Sequence, residues 1–103
     1  MEYYPYPPHP NKYFIETGTG YGFGIGRALY SGMFDEFYSI ELAPHLYEYC
    51  KNLYEPFKNV NIFLGDSREV LPKILANISA PATFWLDGHY SSGETAKGLT
   101  NNP

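Results

Sequence analysis

The chain has one cysteine, Cys50, in 103 residues. A lone cysteine excludes an intrachain disulfide framework and any cysteine-only zinc site, and its place on an amphipathic helical stretch predicts a buried, inert thiol. Positive charge is scarce too: seven Lys and Arg against eleven Asp and Glu leave a net charge of −4 and a pI of about 5.2. Those few cations are spread along the chain, so there is no basic stripe to hold a phosphate backbone by counterion release, and nucleic acid is not an expected partner. No apolar run approaches the ~20 residues of a membrane span, and the opening MEYYPYPPHP has neither the basic nor the apolar region of a secretion leader. These absences predict a soluble, cytoplasmic protein with no membrane partner.

What is present is a core. Apolar residues make up 44% of the chain and aromatics 18%, which supports a packed interior rather than disorder. The length allows one domain and is nearer half of a typical α/β enzyme than a whole one. Residues 1–11 hold four of the nine prolines and three of the eleven tyrosines. Residues 1–12 therefore read as a Pro/Tyr-rich arm of extended backbone ahead of a domain at 13–103.

From residue 13 onward short apolar runs alternate with helical patterns. Strands are predicted at 13–16, 37–41, 60–64 and 83–86. A helix opening from a glycine turn is predicted at 22–30, and another at 44–54. In the second, Pro44 suits the first helical position and Leu46, Tyr49, Cys50 and Leu53 recur at i, i+3, i+4 and i+7. A third helical segment runs to Ile78, capped by Asp66 or Ser67, with Pro72 marking a kink or restart. Strands alternating with helices imply βαβ units with right-handed crossovers, hence an α/β fold built on a doubly wound parallel sheet. Ligands in such sheets sit at the carboxyl ends of the strands, and Glu16, Glu41, Asp66 and Asp87 would all fall on that edge.

The segment Tyr13-Phe14-Ile15-Glu16-Thr17-Gly18-Thr19-Gly20-Tyr21-Gly22 is the densest feature. A dinucleotide fingerprint G-x-G-x-x-G fails in each register, because its third glycine position is Phe23, Ile25 or Arg27. A phosphate-binding P-loop fails too, since no Gly-Lys-Ser or Gly-Lys-Thr occurs. The pattern is instead E-x-G-x-G-x-G, with the acid ahead of the turn. Glu41 follows at a spacing of 25 residues (16 to 41), close to the ~20 between a glycine turn and the ribose-binding acid of mononucleotide-binding βαβ units. A carboxylate there can accept from two ribose hydroxyls. Gly24 and Gly26 read as packing glycines, each at ~1 kcal/mol of lost helix propensity, rather than ligand contacts.

On these residues the chain resembles the class I S-adenosylmethionine-dependent methyltransferases over most of 13–98. The resemblance implies a Rossmann-like methyltransferase fold with strand order 3-2-1-4, cut short after the fourth strand, and S-adenosyl-L-methionine as cofactor. It implies that Glu16, Gly18 and Gly20 line the methionine half and that Glu41 holds the ribose hydroxyls. Asp66 and Ser67 match the adenine contacts. Tyr21 could stack on the ligand or make a cation–π contact with its cationic groups.

The second dense segment, Phe84-Trp85-Leu86-Asp87-Gly88-His89, resembles the aspartate-glycine-histidine stretch of macrocin-type small-molecule O-methyltransferases. That likeness implies methylation of a small-molecule or glycan acceptor, with His89 as the base and Asp87 its orienter. Some members of that group use magnesium. The D-G-D-H form has a second aspartate where this chain has only Asp87 before the histidine, so magnesium stays an alternative and no metal ligand is assigned. Two other readings stand beside this one: a cofactor-binding module or truncated fragment without catalysis, and a nicotinamide-dependent oxidoreductase. With order 3-2-1-4, the fourth strand is an exposed edge, and self-association through it is a further expectation.

Overall fold

The structure is a computed structural model that describes residues 12–86. Four strands, β1 (Tyr13–Thr17), β2 (Glu36–Glu41), β3 (Val60–Leu64) and β4 (Ala82–Leu86), alternate with three helices, α1 (Phe23–Ser31), α2 (Pro44–Leu53) and α3 (Ser67–Leu75). All strand pairs are parallel and the sheet order is β3-β2-β1-β4. The expected α/β class and strand order are both present.

β1 is central, and its sequence shows why. Phe14 and Ile15 point to opposite faces, and both are fully buried, which is why β1 reads as a continuous apolar run rather than an alternation. On one face Phe14 pairs in register with Phe37 and packs with Ala28 and Phe34, with Leu29 and Met33 around them. On the other, Ile15 and Ile40 pack with Ile74 of α3, flanked by Val70, Leu71 and Ile78. Helix α1 therefore covers one face and α3 the other. Right-handed crossovers require this: β1-α1-β2-α2-β3 steps outward in one direction, and α3 carries the chain back across the sheet to β4. Beside β1 the strand order reverses, so the crevice between the carboxyl ends of β1 and β4 is the topological switch point.

Local chemistry sets the helix limits. Gly22 (φ 88°) precedes α1, and Gly32 (φ 71°) ends it, donating its N–H to the Leu29 carbonyl. Pro44 starts α2, and Asp66 caps α3 by accepting the Arg68 N–H at 2.9 Å.

Three expectations need correction. Helix α3 runs through Pro72 without a break and stops at Leu75, short of Ile78, where Asn77 and Ile78 close the end with bonds to Ile74 and Leu75. Secondly, α1 starts at Phe23, Gly22 being its cap. The third concerns α2, whose buried face is centred on Cys50 with Leu46, Tyr47 and Tyr54 partly covered, while Tyr49 and Leu53 lie about half exposed. The face is rotated from the expected one because Cys50 and Tyr54 hydrogen-bond to the glycine turn.

Phe14→Ala should destabilise the protein by about 3–5 kcal/mol, the cost of emptying a close-packed aromatic site. Phe84→Ala, on the half-exposed β4, should cost about 1–2 kcal/mol. Urea denaturation of both variants checks the ranking, and equal losses would contradict a core centred on β1.

Candidate functional site

The glycine turn lies directly after β1. Gly18, Gly20 and Gly22 have φ of 83°, 60° and 88°, a left-handed region that L side chains rarely adopt. Having no side chains of its own there, the turn takes its shape from what grips its backbone. From the sheet, the Ile40 carbonyl accepts the N–H groups of Gly18 (2.8 Å) and Thr19 (3.3 Å). Glu41, the last residue of β2, accepts the Gly20 N–H on Oε1 (2.8 Å) and the Ala43 N–H on Oε2 (2.9 Å). From α2, the Cys50 thiol donates to the Gly20 carbonyl (3.3 Å), and the Tyr54 hydroxyl donates to the Gly22 carbonyl (2.7 Å).

Beneath the turn is a buried polar relay. Ser39 Oγ donates to Glu16 Oε1 and lies 2.6 Å from Thr19 Oγ1, and all three residues are almost completely buried. A serine hydroxyl has one proton, and with that proton on Glu16 the Thr19 hydroxyl must donate to Ser39. A Cβ built on Gly24 would overlap Glu16 Oε2, and one on Gly26 would stand 2.9 Å from the Tyr54 hydroxyl. Both glycines are thus packing glycines, as expected. A Cβ on Gly20, by contrast, would meet nothing within 4 Å, so that point of the turn faces open space.

The predicted residues fall as follows. Gly18, Gly20 and Glu41 come together at the carboxyl edge between β1 and β2. Glu16 lies one residue inside β1, below the turn rather than at the strand's end, because β1 continues to Thr17. Tyr21 sits at the rim, 57% exposed and edge-on to Tyr49 with ring centroids 5.6 Å apart. Asp66 and Ser67 follow β3, and the Gly65 N–H bonds the Glu41 carbonyl, so this loop reaches the same edge. Asp66 also caps α3 and lies 3.5 Å from the Arg68 guanidinium. Asp87 and His89 lie outside the described residues, among which no cluster of three His, Cys, Asp or Glu side chains could hold a metal ion.

Sequence reasoning missed Thr19, Ser39, Ala43 and Tyr54, and it read Cys50 only as core. The one available signal was the i, i+4 spacing of Cys50 and Tyr54 on α2. The Cys50 thiol is pushed up from 9.0 to about 11, first by burial and then by the Glu16 and Glu41 carboxylates. Both carboxylates thus act on one point behind the turn. Tyr54 is raised as well, first by burial and then by the negative charges around it. Tyr38, donating to Glu36 at 2.9 Å, is raised to about 12 by burial and by that carboxylate.

Neither a scan against protein-family models nor a search of curated proteins matches this chain. No helix among the described residues is long and apolar enough to cross a membrane.

Two outcomes follow from this geometry. Gly24→Ala should destabilise by about 1–3 kcal/mol despite alanine's better helix propensity, because the added methyl collides with the buried Glu16 carboxylate; urea unfolding measures it. The second concerns alkaline pH. Cys50, Tyr54 and Tyr38 keep protons in the fold that the unfolded chain has already lost, so their stabilising contribution is complete below pH 9 and falls as pH rises toward 11–12. Unfolding midpoints measured from pH 8 to 11 should decline, and Cys50→Ala should flatten part of that decline.

Proposed function

We propose that this chain binds S-adenosyl-L-methionine over the glycine turn and serves methyl transfer to an oxygen of a small-molecule or glycan acceptor, as a class I methyltransferase. The observation that carries the reading is the Glu41 carboxylate, held by Gly20 and Ala43 at the sheet's carboxyl edge beside an open glycine turn. A carboxylate has about four acceptor positions, and these two N–H groups take one on each oxygen. Capacity remains for the two vicinal hydroxyls of a ribose, which are donors only a fixed acceptor can serve well.

The rest of the site supports the same ligand. Backbone at Gly20 permits close approach, and Tyr21 and Tyr49 provide an aromatic rim for a cationic or planar group. Asp66 and Ser67 are proposed to receive the adenine, and the support is that their loop reaches the same edge through the Gly65–Glu41 bond. The ligand supplies an electrophilic methyl group on a sulfonium when bound. The chain's own task is then orientation and exclusion of water. Asp87 and His89 come one and three residues after β4 in sequence; His89 is proposed to take the acceptor's proton and Asp87 to orient it.

Calorimetric titration with S-adenosylhomocysteine tests the assignment. Wild type should bind, and Glu41→Ala should weaken binding roughly 10- to 100-fold, the size of losing charge-assisted hydrogen bonds. No binding by folded wild type would sink the cofactor assignment, and binding of NADH in its place would favour an oxidoreductase. Tight binding without transfer to any acceptor would favour a binding module. Equal affinity in the variant would remove Glu41 from the ribose role.

A further inference from the structure

Cys50 of α2 and Tyr54, the residue that caps the end of α2, lie four residues apart and face the back of the glycine turn, Cys50 fully buried and Tyr54 largely covered. Each donates to a turn carbonyl, Cys50 to Gly20 at 3.3 Å and Tyr54 to Gly22 at 2.7 Å. The fit is close on every side. A Cβ at Gly22 would stand 2.9 Å from the Tyr54 ring and 3.2 Å from the Cys50 sulfur, and a Cβ at Gly26 would stand 2.9 Å from the Tyr54 hydroxyl. Gly20, Gly22 and Gly26 therefore form one interlocked contact with the side chains of Cys50 and Tyr54, joining α1, α2 and the turn.

This contact has a directional consequence. In a trans peptide the carbonyl and the following N–H point opposite ways, and no described peptide bond is cis. Drawing the Gly20 and Gly22 carbonyls toward α2 turns the N–H groups of Tyr21 and Phe23 away from it. The Gly22 carbonyl already closes the first α1 bond with the Gly26 N–H at 3.0 Å, so the Tyr54 hydroxyl is a second donor to the same oxygen. Helix closure does not need that second bond. What it adds is orientation of the peptide between Gly22 and Phe23.

We propose that Cys50 and Tyr54 are positioning residues, which set the left-handed shape of the glycine turn from behind and aim its outward N–H groups at an acceptor group on the bound ligand. The ligand part of this proposal rests on the S-adenosylmethionine reading above; the part concerning the turn does not. Both donors stay protonated through neutral pH, so the two bonds persist across the working range.

The test uses the full chain and reads the turn with and without ligand. Amide hydrogen exchange at Gly18, Gly20 and Gly22, followed by NMR without ligand, should quicken roughly five- to tenfold in Tyr54→Phe, the scale of one net hydrogen bond. Exchange in the β1–β2 ladder should stay at its wild-type rate. Cys50→Ala should give a smaller effect of the same kind, and Cys50→Ser, which restores a donor, should reverse it. Affinity for S-adenosylhomocysteine should fall by a similar factor in Tyr54→Phe. Turn amides exchanging at the wild-type rate in both Tyr54→Phe and Cys50→Ala would overturn the proposal, as would uniform acceleration of turn and ladder, which marks a merely structural role. If wild type binds no S-adenosyl ligand, the functional reading falls and the exchange comparison still decides the positioning role.

Discussion

The arrangement depends first on the Glu41 carboxylate. Its two oxygens join the glycine turn to the start of α2 through Gly20 and Ala43, and its own carbonyl accepts the Gly65 N–H, so three loops of the carboxyl edge meet at one residue. A charged acceptor suits this position because hydrogen bonds to an ionised group are about twice as strong as neutral ones. Without it the Gly20 and Ala43 N–H groups would have to find water or stay unsatisfied, at a cost of about 1–3 kcal/mol each if buried. The residue proposed to receive the ligand is thus also the one that assembles the surface the ligand would lie on.

The five glycines at alternate positions from 18 to 26 look like one motif and answer two requirements. Gly18 and Gly20 are needed for backbone conformation. Gly24 and Gly26 are needed for volume, one to clear the buried Glu16 carboxylate and the other to clear the Tyr54 hydroxyl. Gly22 meets both, with φ of 88° and the Tyr54 ring against its missing Cβ. A carboxylate placed inside β1 rather than after it makes Gly24 necessary: its oxygen occupies the space that a Cβ there would take, so α1 passes it as bare backbone at that position.

Much of the fold was legible because its determinants are local. The apolar runs, Pro44 at a helix start and Asp66 as a cap each act within a few residues, and alternation of strand and helix implies the parallel sheet. The rotation of α2 was not legible. Leu46, Tyr49, Cys50 and Leu53 satisfy helical spacing, but so do Leu46, Tyr47, Cys50 and Tyr54. The choice is made by bonds to carbonyls some thirty residues away, for which a local pattern has no signature. Glu16 and Glu41 likewise read alike, each an acid closing an apolar run. One further paired residue, Thr17, places Glu16 below the turn, where Ser39, itself bonded to Thr19, engages it, and leaves Glu41 at the edge.

Charge decides which kind of ligand such a turn can hold. A glycine turn opening a helix is ordinarily a cradle for anions, since the helix end carries about half a positive charge. Here two carboxylates lie close enough to that turn to add to burial in holding the proton on Cys50. At an effective dielectric of 20, a unit like-charge pair at ~6 Å costs about 3 kcal/mol, and the half-charge of the helix end returns about half of that for one anion. A pyrophosphate beside Glu41 would therefore meet more repulsion from that carboxylate than attraction from α1. A ligand that presents hydroxyl donors and a positive centre to the carboxylates, with any single negative group placed at the outward N–H groups of the turn, satisfies both sides of the site. That balance is the physical argument for the proposed ligand, a nucleoside with a cationic tail, over a dinucleotide.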